Sequence, residues 1–234
     1  MPRPVAYDRQ TFNNPNPLAR FAHRSRFRHA LALMERNAGR GARVLDFGAG
    51  TGAFLHRLGQ IRPDLERIAF EPFMPIRYPG MLRETAMENL ASGSIDAICA
   101  FEVFEHLSEP FLHDFFSQAS RILKPRGKII ASVPIMQGLA LPVKELSRSL
   151  LFHRRSDHST GELMSGLLGR PIERADDLLT SHKGFSHRAL YNKLSQRFSL
   201  VDGFCSPFSA MPWWANSQVF WVFDRPAQSE GPPL

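Results

Sequence analysis

The chain is poor in cysteine, in long hydrophobic runs and in negative charge, and each shortage narrows what it can be. Two cysteines, Cys99 and Cys205, occur in 234 residues, too few for a disulfide scaffold. Both lie in apolar, strand-like runs, which predicts buried free thiols in a reducing compartment. No stretch approaches the roughly 20 apolar residues of a membrane span. The start, Met1-Pro2-Arg3-Pro4 followed by polar Tyr7-Asp8-Arg9-Gln10, lacks the apolar core of an export signal. The expectation is a cytoplasmic protein without a transmembrane segment. Internal repeats are absent as well. A hydrophobic share of 43% in a chain of this length fits one globular domain with a sizeable core, or one domain carrying an inserted lid.

Acidic residues number 22 against 29 basic ones, giving a formal charge of +7. That balance is compatible with nucleic acid, an anionic lipid surface or an acidic substrate. The positive charge gathers in two places. Arg20, His23, Arg24, Arg26, Arg28 and His29 crowd an early segment, and Arg148, His153, Arg154 and Arg155 a later one. Nucleic acid is the weaker reading, because no RNA-binding module is appended and the basic residues are not interleaved with aromatics.

What the chain does have is Val44-Leu45-Asp46-Phe47-Gly48-Ala49-Gly50-Thr51-Gly52. A short apolar run enters a glycine-rich turn, and Ala53, Phe54, Leu55 and Leu58 leave it at helical spacing. Strand, glycine turn and helix build a nucleotide cradle, since glycine accepts positive φ and lets the backbone approach a ligand. Gly48, Gly50 and Ala53 also satisfy the permissive dinucleotide fingerprint. Asp46 discriminates: a carboxylate beside the loop repels a pyrophosphate and suits a ligand with an ammonium group.

Further along, alternating elements predict a doubly wound α/β sheet. An amphipathic helix is expected over Leu18–Asn37, with Phe21, Ala22, Phe27, Ala30, Leu31 and Leu33-Met34 inward. A strand at Arg67–Phe70 carries Glu71 and Pro72 at its carboxyl edge, a little over twenty residues after the glycines, where open α/β folds place an acid on ribose hydroxyls. A third strand falls within Tyr78–Leu90. Ser94–Phe101 reads as a strand buried on both faces, leading into Glu102-Val103-Phe104-Glu105-His106-Leu107 and a helix capped by Ser108 with Pro110 in its first turn. Lys124-Pro125-Arg126-Gly127 ends that helix, and Lys128–Pro134 is the fifth strand. No sheet strand is placed between Pro134 and His182; that interval lies over the ligand crevice as an acceptor lid. A helix over Ser186–Arg197, with Ala189, Leu190 and Leu194 inward, precedes strands at Phe198–Val201 and Gln218–Phe223. The aromatic loop with Pro207, Met211-Pro212 and Trp213-Trp214 sits between them.

Asp46-Phe47-Gly48-Ala49-Gly50-Thr51-Gly52 closely resembles the first motif of class I S-adenosylmethionine-dependent methyltransferases. The later run, from the apolar strand through Glu105-His106 to the Leu-Lys-Pro-Arg-Gly turn, resembles the same family in the same order. The resemblance implies a Rossmann-like, seven-stranded doubly wound sheet with an antiparallel last strand between strands five and six. It implies a cap over residues 1–41 ahead of the methyltransferase domain at 42–234, with 134–183 as the inserted lid. S-adenosylmethionine is the implied cofactor, held by Asp46, Gly48, Ala49, Gly50, Thr51, Gly52, Glu71, Pro72, Met87, Phe101 and Glu102. Family members commonly carry an aspartate for the adenine amino group where this chain has Ala86, so adenine recognition falls to backbone near Met87, or to Glu84 or Glu88.

Glu102 and Glu105 share a face of a turn with His106 beside them. Some relatives with Glu-x-x-Glu-His, ubiquinone-pathway O-methyltransferases and small-RNA terminal 2′-O-methyltransferases, bind a divalent ion there, and the RNA enzymes add a further histidine to which His182 corresponds. A structural role, or a lone general base at His106 with Glu105 beside it, is preferred over a metal site, and a divalent metal is compatible with the cluster without being predicted. The resulting expectation is O-methylation of a small molecule, lipid or glycan precursor. RNA methylation and non-catalytic cofactor binding are the alternatives, and a peripheral membrane contact through the apolar-basic lid is compatible with the first.

Overall fold

A computed structural model of the protein describes residues 17–138, 141–142, 158–170, 172–175, 177–178 and 182–226. The lead-in 1–16, the tail 227–234 and the centre of the expected lid, including Arg148, His153, Arg154 and Arg155, lie outside the described residues. Helix α1 (Pro17–Asn37) precedes strand β1 (Arg43–Phe47), helix α2 (Ala53–Ile61), β2 (Glu66–Phe70) and a short β3 (Leu82–Glu84). Then come β4 (Ile95–Phe101), α3 (Glu109–Ile122), β5 (Leu123–Pro134), α4 (Thr160–Leu167), α5 (His187–Ser195), β6 (Ser199–Ser206) and β7 (Gln218–Asp224). The seven strands form one sheet in the order β3-β2-β1-β4-β5-β7-β6. Every pair from β3 to β5 is parallel, and β7 runs antiparallel between β5 and β6.

Each central strand is buried on both faces, so its residues alternate between two cores. Leu45, Ile98, Ile129 and Phe223 meet α3 and α5 on one face, while Val44, Cys99, Ile130 and Val222 meet α1 and α2 on the other. No helix among the described residues is long and apolar enough to cross a membrane. In α1 the buried residues are Ser25, Ala30, Leu31, Leu33 and Met34, whereas Phe21, expected inward, is half exposed.

Several expectations are corrected. β5 starts at Leu123, directly after α3, instead of at Lys128. Ile95 pairs with Leu123 and Ala97 with Lys128, so Lys124–Gly127 is taken into the strand as a bulge, with Arg126 at φ 61°. Ala189 faces solvent and His187 faces the core with Leu190 and Leu194, because positions 187, 190 and 194 share one helical face and 189 lies off it. Cys99 is buried, but Cys205 is only half-buried, since β6 is the edge strand of the sheet; both thiols are free. The side chain of Ser108 makes no capping hydrogen bond at α3.

Candidate active site

The parallel strands β1, β2, β4 and β5 end at one edge of the sheet, and β6, antiparallel to β7, ends there too. The expected site residues lie along this edge. Gly48, Gly50 and Gly52 adopt φ of 79°, 56° and 84°, and α2 starts immediately afterwards, as the glycine turn requires. Gly48 is also needed for close packing. A Cβ there would stand 2.5 Å from a Val103 methyl, so the glycine turn and the segment after β4 fit against each other.

Asp46, one residue inside the end of β1, is buried on the α1–α2 face. Burial raises its pKa from the usual carboxylate range to about 7; the Cys99 thiol, donating at 3.5 Å, offsets a little of that, and nearby Glu71 adds to it. Among the described residues no cation pairs with it. A cleft opens above it, floored by Asp46, Gly48, Ala49 and Thr51, walled by Phe54 and Phe101, and roofed by His23, Arg26 and Phe27 of α1. A buried carboxyl awaiting a positive partner, beside a loop without Cβ atoms, fits the amino-acid end of a nucleoside ligand.

Glu71 lies where expected and does more than expected. Its Oε2 accepts the Gly50 amide at 2.8 Å, and its Oε1 accepts the amides of Phe73 and Met74 at 2.9 and 3.2 Å. It braces the glycine loop against the 72–81 segment, whose Arg77 amide donates to the Thr51 carbonyl. A carboxylate has about four acceptor sites and three are taken, so Oε2 can still receive one ribose hydroxyl. Pro72 is exposed. Met87 opens a 3₁₀ turn, buried, with its carbonyl taking Arg121 Nη2 at 2.8 Å. Glu84 accepts from Asn89 and Glu88 from Gln118.

Glu102 has φ 57°, a left-handed conformation rare outside glycine. Its side chain forms an ion pair with Arg26 of α1 at 2.9 Å and accepts the Ser132 hydroxyl at 3.2 Å. Arg26 in turn donates to His23 Nδ1 at 2.7 Å. Glu102 therefore fastens the roof helix, and it does not join Glu105 and His106. Arg26 and His23 were legible only as members of a basic cluster; their i, i+3 spacing is the signal that puts them on one face.

Glu105 and His106 follow in a 3₁₀ turn over Phe104–His106. Arg174 ties that turn down by donating to the carbonyls of Glu105 and Leu107 at 3.0 and 3.1 Å. His106 Nδ1 stands 2.7 Å from the Leu178 carbonyl, and its Nε2 stands 3.3 Å from His182 Nε2. A carbonyl only accepts, so Nδ1 carries the proton and Nε2 presents its lone pair toward His182. The ligand atoms of Glu105, His106 and His182 lie within 4.8 Å of one another, a group that could hold a metal ion. His182 thus joins Glu105 and His106, and Glu102 does not.

The family model for methyltransferase domains matches residues 19–165. No curated protein matches the sequence. Solved structures do resemble the fold. The PH0226 protein of Pyrococcus horikoshii OT3 shares 12% identity and a TM-score of 0.60 over 93% of this chain and 96% of that one. A Burkholderia thailandensis 1,6-didemethyltoxoflavin-N1-methyltransferase, bound to 1,6-didemethyltoxoflavin and S-adenosylhomocysteine, shares 15% and 0.59 over 93% and 84%. A geranyl diphosphate methyltransferase, in complex with GPP and sinefungin, shares 13% and 0.56 over 87% and 78%. With a family match over more than half its length and the strand order that the resemblance implied, the chain belongs to the methyltransferase domain family and is a class I S-adenosylmethionine-dependent methyltransferase.

Proposed function

We propose that this enzyme methylates an oxygen of a small-molecule, lipid or glycan-precursor acceptor, with His106 as the general base. The observation that supports the reading is the oriented imidazole: the Leu178 carbonyl accepts Nδ1–H, so Nε2 is the basic nitrogen, and an incoming hydroxyl takes the position at Nε2 that His182 holds at 3.3 Å. Asp46 takes the ammonium of the cofactor, Gly48 to Gly52 with Ala49 and Thr51 pass its nucleoside, and Glu71 receives a ribose hydroxyl on Oε2. Phe101 packs beside it, and the adenine falls near Met87. Bound S-adenosylmethionine supplies a methyl on a sulfonium, which departs as a neutral thioether when the acceptor oxygen displaces it. The proton lost by that oxygen passes to His106 Nε2, and the resulting imidazolium is held by the Leu178 carbonyl through Nδ1–H. Positioning supplies much of the remaining acceleration. Glu105 supports the turn that carries His106. Residues 1–41 act as a cap over the cofactor and 134–183 as the acceptor lid. Small-molecule acceptors bound to neighbours of the same fold agree with this class.

A second reading is favoured by the short His106–His182 separation. Two imidazoles and a carboxylate form a donor set suited to a divalent transition ion with open positions. Such an ion would act as a Lewis acid on the acceptor oxygen.

One assay separates the two. With the true acceptor, His106→Ala is expected to lose about 10²–10⁴-fold in turnover while its affinity for S-adenosylhomocysteine is unchanged. Chelation leaves the wild type active under the base reading and inactivates it, reversibly on adding Mn²⁺ or Zn²⁺, under the metal reading. Normal turnover by His106→Ala contradicts both.

A further inference from the structure

The carboxyl edge carries a further feature: apolar side chains facing solvent from two separate elements, the loop after β6 and the end of α4 within the proposed acceptor lid. The loop after β6 is clamped from within by Asn216, which is wholly buried. Its side-chain amide donates to the carbonyls of Phe208, Met211 and Pro212 at 3.0, 3.1 and 3.1 Å, and its Oδ1 accepts the Phe208 amide at 2.8 Å. Those backbone groups are turned inward, while Phe208, Met211 and Trp214 remain 53%, 46% and 40% exposed. Beside it the end of α4 exposes Leu168 at 63%.

These two elements form one rim. The Gly138 amide donates to the Gly166 carbonyl at 2.9 Å. A Cβ on Gly138 would come within 2.7 Å of Trp214, and one on Gly169 within 3.3 Å of the Trp213 ring. Gln137, just past β5, donates to the carbonyls of Gly169 and Arg170 at 3.4 and 3.3 Å. Cations flank the apolar centre. Arg170 is exposed next to Leu168, and the exposed Arg188 lays its guanidinium 4.3 Å from the centroid of Trp213. The acid on α4, Glu162, is paired with Lys183 at 2.8 Å.

We propose that this rim docks the enzyme on an anionic lipid surface, with the Phe208, Met211, Trp214 and Leu168 side chains entering the headgroup boundary and Arg170 and Arg188 on lipid phosphates. Rings held by a clamped loop insert without much loss of freedom, and tryptophan favours the interface. Anionic headgroups neutralise the flanking cations and the net charge of +7; a second copy on the same rim would set like charges against each other. Docking here brings the edge holding Asp46 and His106 to the bilayer, so the acceptor class narrows to one that partitions into lipid. That last step rests on the methyl-transfer reading above, while lipid docking does not.

Flotation of the full chain with phosphatidylcholine vesicles, with and without phosphatidylglycerol, tests the proposal. The wild type is expected to float with the anionic vesicles at low salt, and the double variant Phe208→Ser, Trp214→Ser to lose about tenfold or more of its partition. Leu168→Ser, on the other element, is expected to weaken it too and stands in should the double variant misfold. S-adenosylhomocysteine affinity, read by calorimetry, stays at the wild-type value in folded variants, so failure of docking is separate from failure of the enzymatic reading. Absence of flotation, flotation indifferent to these substitutions, or a concentration-dependent dimer that they abolish would each overturn it, the last assigning the rim to a second copy.

Discussion

On the β1–β4 side of the carboxyl edge the floor of the cleft is built mostly from backbone. Three glycines at positive φ, the amide that Glu71 holds at Gly50, and one buried carboxyl form that floor, beneath the side chains of Phe54, Phe101 and α1. On the β5–β7 side, contacts come from side chains on separate elements: His182 against His106, Arg174 under the 3₁₀ turn, Arg188 on Trp213, Asn216 inside its loop. The first half is suited to one invariant ligand, the cofactor. The second can change its acceptor by changing side chains without disturbing the sheet, as expected of loops at strand ends.

Breaking each half should therefore produce different losses. The largest is expected on the acceptor side, where His106→Ala removes turnover and spares the cofactor. Next comes His187, buried beside Trp213 at the start of α5, whose pKa is lowered to about 4, mainly by burial and secondarily by Arg188. The unfolded chain binds its proton near pH 6.5 and the folded one only near 4, so this group's contribution is full above 6.5 and is lost as pH falls toward 4. Chemical denaturation between those limits should show a decline on the order of 2–3 kcal/mol, and His187→Phe should flatten it. An unchanged slope in that variant would assign the decline elsewhere. The smallest effect is on the cofactor side. Gly48→Ala places a Cβ against Val103 at positive φ and is expected to destabilise by about 1–3 kcal/mol. Adding Val103→Ala should recover the collision part of that loss and none of the backbone strain. Full recovery, or none, would show that the fit between glycine turn and 3₁₀ segment is misdescribed.

The same contrast decides what could be read before the structure. The cradle was legible because its parts are contiguous: Asp46 to Gly52 spans strand, turn and helix, and the glycines announce their own conformation. Glu71 was located by its distance along the chain, but its grip on Gly50, Phe73 and Met74 depends on how the 72–81 segment folds back. The Arg26–Glu102 pair joins α1 to the end of β4, and no local pattern points to it. The 102/105/106 spacing places three groups on one turn only if that turn is helical. The left-handed φ of Glu102 instead sends it to α1, and His182 takes the third place. Bulging of Lys124–Gly127 into β5 is likewise a pairing event, decided by Ile95 and Leu123. The exposed rim was legible as an aromatic loop; its orientation follows from one buried asparagine.

The central claim, a buried Asp46 that meets the ammonium of S-adenosylmethionine, is tested most directly by calorimetric titration with S-adenosylmethionine and S-adenosylhomocysteine across pH, using NAD as control. Free Asp46 is protonated below about pH 7 and must lose that proton to receive a cation, so affinity should be highest above pH 7 and weaken about tenfold per unit below it. Asp46→Asn should bind about 10–100-fold more weakly at pH 8 and lose the pH dependence. Affinity independent of pH in the wild type, or binding of NAD in place of S-adenosylmethionine, would contradict the account.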